Sequence, residues 1–145
     1  LNKPTSVFLG AREFFRLMQI MPPPFLINTV DGLFTVGVIR TERGNETILI
    51  LATRSFPETL AGMLAWEKDL PQALSFLLPP DRAITRGSNK FEDIVISNHD
   101  VRLIKNTANE SILFYTIFNR QTLVITESRE ALESVLRQLS FFPPQ

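Results

Sequence analysis

The sequence predicts an α+β fold, an antiparallel sheet or sheets packed with helices. Three observations carry that reading. Apolar, β-rich stretches come in hairpin-sized pairs divided by polar turns with Gly or Asn. Other stretches repeat apolar residues at helical spacing and follow capping residues. At 145 residues, 44% apolar and with twelve Phe, the chain can bury a substantial core. We read residues 1–145 as a single domain, a length that fits one body or two tightly packed halves.

Each element has a local cause. From Gly10 to Met21, Phe14, Phe15, Leu17, Met18 and Met21 keep helical spacing, and Pro22, Pro23 and Pro24 end the helix. Phe25 to Asn28 reads as a short strand or loop. Leu33 to Arg40 alternates, with Phe34, Val36 and Val38 on one face. Thr47 to Thr53 pairs with it across a polar turn. Its run Ile48-Leu49-Ile50-Leu51-Ala52 is apolar on both faces, which predicts a central strand covered on both sides.

Ser55-Phe56-Pro57-Glu58 has the form of a capping box, and the helix that follows is expected to bury Leu60, Met63, Leu64 and Trp66. Asp69-Leu70-Pro71-Gln72 starts a short helix through Leu78, ended by Pro79 and Pro80. Residues 81–90 read as a polar loop. Phe91 to Ser97, Val101 to Lys105, Ser111 to Phe118 and Thr122 to Thr126 form a meander, with Asn98-His99-Asp100 as a turn or bulge. Ser128 caps a last helix with Leu132, Val135, Leu136 and Leu139 in one stripe. Phe141 to Pro144 is a tail.

Leu49 to Leu64 and Leu123 to Leu136 share a grammar of strand, cap and helix. Two α-β-β-α-like repeats, over 10–78 and 79–140, would fit the length.

Composition excludes several kinds of chemistry. Fifteen basic and fifteen acidic residues give a formal net charge of zero, with no basic stripe of the kind nucleic acid requires. There is no cysteine, so disulfides, thiol catalysis and Cys-based metal sites are absent. Neither a GxGxxG nor a GxxxxGK[ST] phosphate loop occurs. Asn45 and Asn109 sit in glycosylation sequons within expected hairpin turns, where Asn is common anyway. Glu92, Asp93 and Asp100 cluster in sequence, yet strand alternation sends Glu92 and Asp93 to opposite faces. His99, the single histidine, is the one residue on which a hydrolase could be built, with Asp93 or Asp100. No nucleophile motif accompanies it, so the expectation is no enzyme, no cofactor and no metal. Trp66 and Phe76, beside prolines, and His99 are the candidate binding surface.

The segment Ala61-Gly62-Met63-Leu64-Ala65-Trp66-Glu67, then Asp69-Leu70, is distinctive. So are Asn98-His99-Asp100-Val101-Arg102-Leu103, Ile112-Leu113-Phe114-Tyr115 and Thr122-Leu123-Val124-Ile125-Thr126. As a set, from about Phe14 to Leu139, they resemble an uncharacterised family of single-pass membrane proteins from candidate-phyla bacteria, a family without an assigned activity. The resemblance implies an extracytoplasmic location and an N-terminal transmembrane anchor lying in a segment before Leu1. The expected function is a non-enzymatic domain that mediates protein–protein contact, self-association or assembly at the cell envelope. The alternatives are a small-ligand or peptide binding module, with a pocket between the sheet and the Trp66 helix, and a hydrolase using His99.

Overall fold

Elements begin and end where the sequence changes period. The computed structural model describes residues 9–77 and 90–141. In chain order these contain α1 (Ala11–Leu17), α2 (Pro24–Thr29), β1 (Val30–Thr41), β2 (Gly44–Thr53), α3 (Phe56–Trp66), α4 (Leu70–Ala73) and a 3₁₀ turn at Ser75–Leu77. Then follow β3 (Glu92–Ile96), β4 (His99–Lys105), β5 (Ser111–Phe118), β6 (Thr122–Thr126) and α5 (Arg129–Phe141). The strands form one six-stranded antiparallel sheet in the order β1-β2-β6-β5-β4-β3. The fold is α+β.

The sheet is organised around the pairing of β2 with β6, which runs from Ile48 opposite Thr126 to Ala52 opposite Thr122. Leu49, Leu51, Leu123 and Ile125 point to one face, where they pack with Phe15, Leu26, Met63, Trp66, Leu70 and Leu74. Ile48, Ile50 and Val124 point to the other, against Leu132, Val135 and Leu136 of α5. The apolar run in β2 therefore sits centrally with cover on both sides, as its sequence predicts. Ser128 caps α5: its hydroxyl oxygen accepts the Ala131 N–H at 3.1 Å.

Several boundaries differ from the sequence reading. Phe25 to Asn28 is neither strand nor loop but most of α2; Pro24 occupies the first helical position, where its fixed φ suits a helix and its missing N–H costs nothing. The first helix stops at Leu17, short of Met21. Gln19 takes a left-handed φ of 56° that folds the chain back and buries Ile20. The β3–β4 turn is Ser97-Asn98, with φ of 50° and 62°, a pair of left-handed residues as in a type I′ turn. His99 and Asp100 therefore belong to β4. The short helix ends at Ala73 and passes into the 3₁₀ turn, position 78 and most of the polar stretch 81–90 lie outside the described residues, and Phe141 is part of α5.

The buried face of α3 also differs. Thr59, Gly62, Met63 and Trp66 are buried, whereas Leu60 is half-buried and Leu64 is 45% exposed. The cause is α2, which crosses α3 at Gly62. A Cβ there would lie 2.7 Å from Leu26 Cβ and 2.8 Å from its backbone nitrogen. Thr59 fits this tight contact because its hydroxyl donates to the Ser55 carbonyl at 2.6 Å. The Ser55 cap is made: its side chain accepts the Glu58 N–H at 3.4 Å. The two strand-following helices α3 and α5 cover opposite faces of the sheet, so the shared grammar of the two halves does not become matching placement.

Gly62→Ala should destabilise the domain by about 1–3 kcal/mol, because overpacking against α2 backbone outweighs Ala's better helix propensity. Urea unfolding checks this; a variant as stable as the parent would show that α2 can move away from α3.

Candidate functional site

Glu67 follows the last residue of α3, and there the helix is fastened to the sheet. Arg102 on β4 donates through Nε to Glu67 Oε1 and through Nη2 to Oε2, both at 2.7 Å. The Tyr115 hydroxyl on β5 donates to Oε1 at 2.6 Å. The remaining Arg102 nitrogen, Nη1, donates to Asp93 on β3 at 2.9 Å. Register explains the convergence: Asp93 lies opposite Arg102, and Arg102 opposite Tyr115, so all three share one face. The forked guanidinium matches the carboxylate geometry. Burial and the Glu67 hydrogen bond push the Tyr115 phenol well above its ordinary value. The same Glu67 bond raises Arg102, against the opposing effect of burial. At any working pH the tyrosine is a neutral donor and the arginine a cation.

Beyond this clamp the helices leave the outer sheet uncovered. A groove of about 730 Å³ runs between α3 and strands β3–β5, with Phe56 and Leu60 as its helical wall and Asp93, Val95, Asp100 and Ile117 among its sheet lining. Val95, on edge strand β3, is 65% exposed. One end is closed by the Ser97-Asn98 turn with His99 at the start of β4, and by the Asn119-Arg120 turn. Asn119 and Arg120 take left-handed φ of 48° and 62°, and the Arg120 guanidinium rests over the Phe56 ring at 4.4 Å. Both turns keep left-handed backbone without glycine, at some conformational cost.

Comparison with protein families, with curated proteins and with solved structures finds no match. The functional reading therefore rests on the residues themselves.

The three residues singled out from sequence do not form one surface. Trp66 is 2% exposed and packs edge-on against Phe15 at 6.2 Å; it is core, not binding surface, because the rotation of α3 turns it inward. Phe76, 39% exposed, packs edge-on against Phe14 and does not line the groove. His99 does line its end. The His99 ring lies 5.4 Å from Phe118, and its Nδ1 is enclosed without a hydrogen-bond partner. Asp93, one of its suggested partners, is bound to Arg102 instead. Among the described residues no group of three or more His, Asp or Glu side chains is placed to hold a metal ion, and no helix is long and apolar enough to cross a membrane.

Sequence reasoning missed Glu67, Arg102, Tyr115, Leu60 and Val95 as site residues. One signal was present: Arg102 interrupts Val101, Leu103 and Ile104, a position where a charge needs a partner. That the partner is Glu67 follows only from the docking of α3.

A second cluster of titratable groups lies at the start of α5. Glu46 and Glu127 are both buried. Glu46 Oε2 accepts the Ser128 hydroxyl at 2.6 Å, and its Oε1 has no donor. Burial and the neighbouring Glu46 charge push Glu127 up from its ordinary 4.5 to about 7. A proton on Glu127 removes its repulsion with the Glu46 charge and eases the cost of its burial. The folded state thus holds this proton more tightly than the unfolded chain does. Its stabilising effect is complete below the unfolded pKa and is lost as pH rises through about 7.

Two outcomes follow. Glu67→Ala, which strands Arg102 and Tyr115, should cost about 2–4 kcal/mol, whereas Asp93→Ala, at a largely exposed carboxylate, should cost about 0.5 kcal/mol or less; chemical denaturation of both variants measures the contrast. Glu127→Gln should raise stability at pH 8 by about 1–3 kcal/mol and flatten the decline between pH 4.5 and 7. An unfolding series across pH that gave parallel curves for variant and parent would refute the raised Glu127 carboxyl.

Proposed function

We propose that this chain is a non-enzymatic protein-contact domain that takes an extended polypeptide segment into the groove between α3 and the outer strands. The observation that carries the reading is the division of labour along the groove. The groups with chemical reach, Glu67, Arg102, Asp93 and Tyr115, are engaged with one another. What faces outward is apolar contact area from Phe56, Leu60, Val95 and Ile117, with the Asp100 carboxylate on the sheet side and Asn98 and Asn119 at the end. Such a surface holds apolar side chains and orients them by a few polar contacts; it offers no activated nucleophile. The open side suits a chain that enters and leaves the groove.

The lining has a charge preference. Asp93 and Asp100 face Arg102 and Arg120, and Glu67 behind them neutralises Arg102. The balance favours a segment that carries a Lys or Arg beside its apolar residues. We further propose that the domain acts outside the cytoplasm at the bacterial cell envelope; the sequence resemblance alone supports that location.

Panning a displayed random-peptide library on the immobilised domain should enrich apolar segments flanked by basic residues. Leu60→Glu and Val95→Lys should each weaken their binding about tenfold or more, while Leu17→Glu, away from the groove, should leave it unchanged. Failure to enrich any sequence, or peptides indifferent to Leu60 and Val95, would sink the assignment.

A further inference from the structure

The acidic and basic side chains that line the groove are Asp93, Asp100, Arg102 and Arg120. Asp93 and Arg102 are engaged with each other, and Glu67 takes the rest of the Arg102 guanidinium. Asp100 and Arg120 are not engaged. Among the described residues neither the Asp100 carboxylate nor the Arg120 guanidinium has an ion-pair or hydrogen-bond partner, and the two do not pair with each other. Both residues are exposed.

These two charges stand at the same end of the groove. The register that sets Arg102 opposite Tyr115 brings Asp100 opposite Ile117, and the Thr116 hydroxyl donates to the Asp100 carbonyl at 2.7 Å across the same strands. Arg120 follows Ile117 by three residues. The Phe56 ring, 4.4 Å from the Arg120 guanidinium, attracts the charge and holds the side chain in place. It offers no oxygen to the N–H donors of that group. Asn98 and Asn119 line this end too, and their side-chain amides have no hydrogen-bond partner among the described residues.

We infer that the segment bound in the groove carries an acidic side chain as well as a basic one, the acid at Arg120 with Asn98 and Asn119, the base at Asp100. This rests on the reading of the groove as a polypeptide site. Charge complementarity selects the occupant. A segment with only a basic residue would cover Arg120 and leave its guanidinium desolvated without an anion. A carboxylate there completes a forked, charge-assisted pair, to which either asparagine amide can add a donor. The open outer side lets the chain run on past this end, so the acid belongs to a side chain and not to a chain terminus. One strand spacing and three residues of backbone separate Asp100 from Arg120, which places the two charges within about four residues of each other on an extended segment. Fixed charges of opposite sign also set direction. A segment laid in backwards would bring like charges together at both positions, so each sequence binds in one orientation only.

The test is calorimetric titration of the full chain with a peptide enriched on the groove, and with versions of it in which the acid is replaced by Gln or the base by norleucine. Loss of the acid should weaken binding to the parent about tenfold and leave binding to Arg120→Gln unchanged; loss of the base should do the same for the parent and Asp100→Asn. The crossed combinations, acid with Asp100→Asn and base with Arg120→Gln, should be additive. Arg120→Lys, which keeps a cation beside Phe56, should retain an acid effect of about threefold or more. Thermal unfolding of each variant shows that the fold is kept. Enriched peptides that carry no acid, an acid effect that persists in Arg120→Gln, or binding that is lost on amidation of the peptide C-terminus would each overturn the inference. Peptides that depend on Leu60 and Val95 but ignore Arg120 overturn it while leaving the groove reading intact, and a domain that binds no peptide removes both.

Discussion

The constraint behind the rest of this structure is that β2 and β6 are apolar on both faces. A strand of that kind cannot lie at an edge or on a one-sided sheet without leaving a row of aliphatic side chains in water. Antiparallel pairing of the two places them at the centre, and the chain must then supply cover above and below. It does so unequally. Four helices lie over one face and α5 over the other. Because α1 to α4 crowd over the middle strands, β3 and β4 reach beyond them, and the groove is the uncovered remainder.

The width of that groove is set by one carboxylate. Glu67 is drawn to the sheet by three donors from two strands, which fixes how far the end of α3 stands from β4 and β5. At the other end of the helix, Arg120 over Phe56 ties α3 to the β5–β6 turn. Between these ties α3 turns Leu60 outward, since Thr59 and Gly62 are needed against α2. The groove wall is thus a by-product of a tight helix–helix contact elsewhere.

How much of this was legible in the sequence divides by the range of the interaction involved. Strand periods, the Ser55 and Ser128 caps and the central position of β2 follow from residues within a few positions of one another, and they read correctly. The α2 helix was missed because Pro22-Pro23-Pro24 signals an ending as strongly as a beginning. The burial of α3 was misread at Leu60 and Leu64 for a different reason. Apolar spacing marks which residues could be buried, and Gly62 and Thr59 displaced two of them only because another helix crosses there. The site was the least legible part: Trp66 looked like a ligand contact by composition but is held inside, and Glu67 and Arg102, thirty-five residues apart, meet only after the sheet and α3 have docked. Function has no local signature in this chain, so what could be read was the scaffold and not its use.

The one-sided placement of α5 has a consequence for motion. It is the sole described helix on its face, and it is held by one aliphatic stripe, one capping serine and the bond from the Glu42 N–H to Glu130. Releasing it would break no strand pairing, because β2, β6 and β5 keep their hydrogen bonds to each other. Undocking of α5 is therefore a sub-global opening, cheaper than complete unfolding, and amide exchange in this helix should run ahead of exchange in the central strands. Such an opening leaves Ile48, Phe114 and Val124 in water, so it is short-lived and recloses before the sheet itself comes apart.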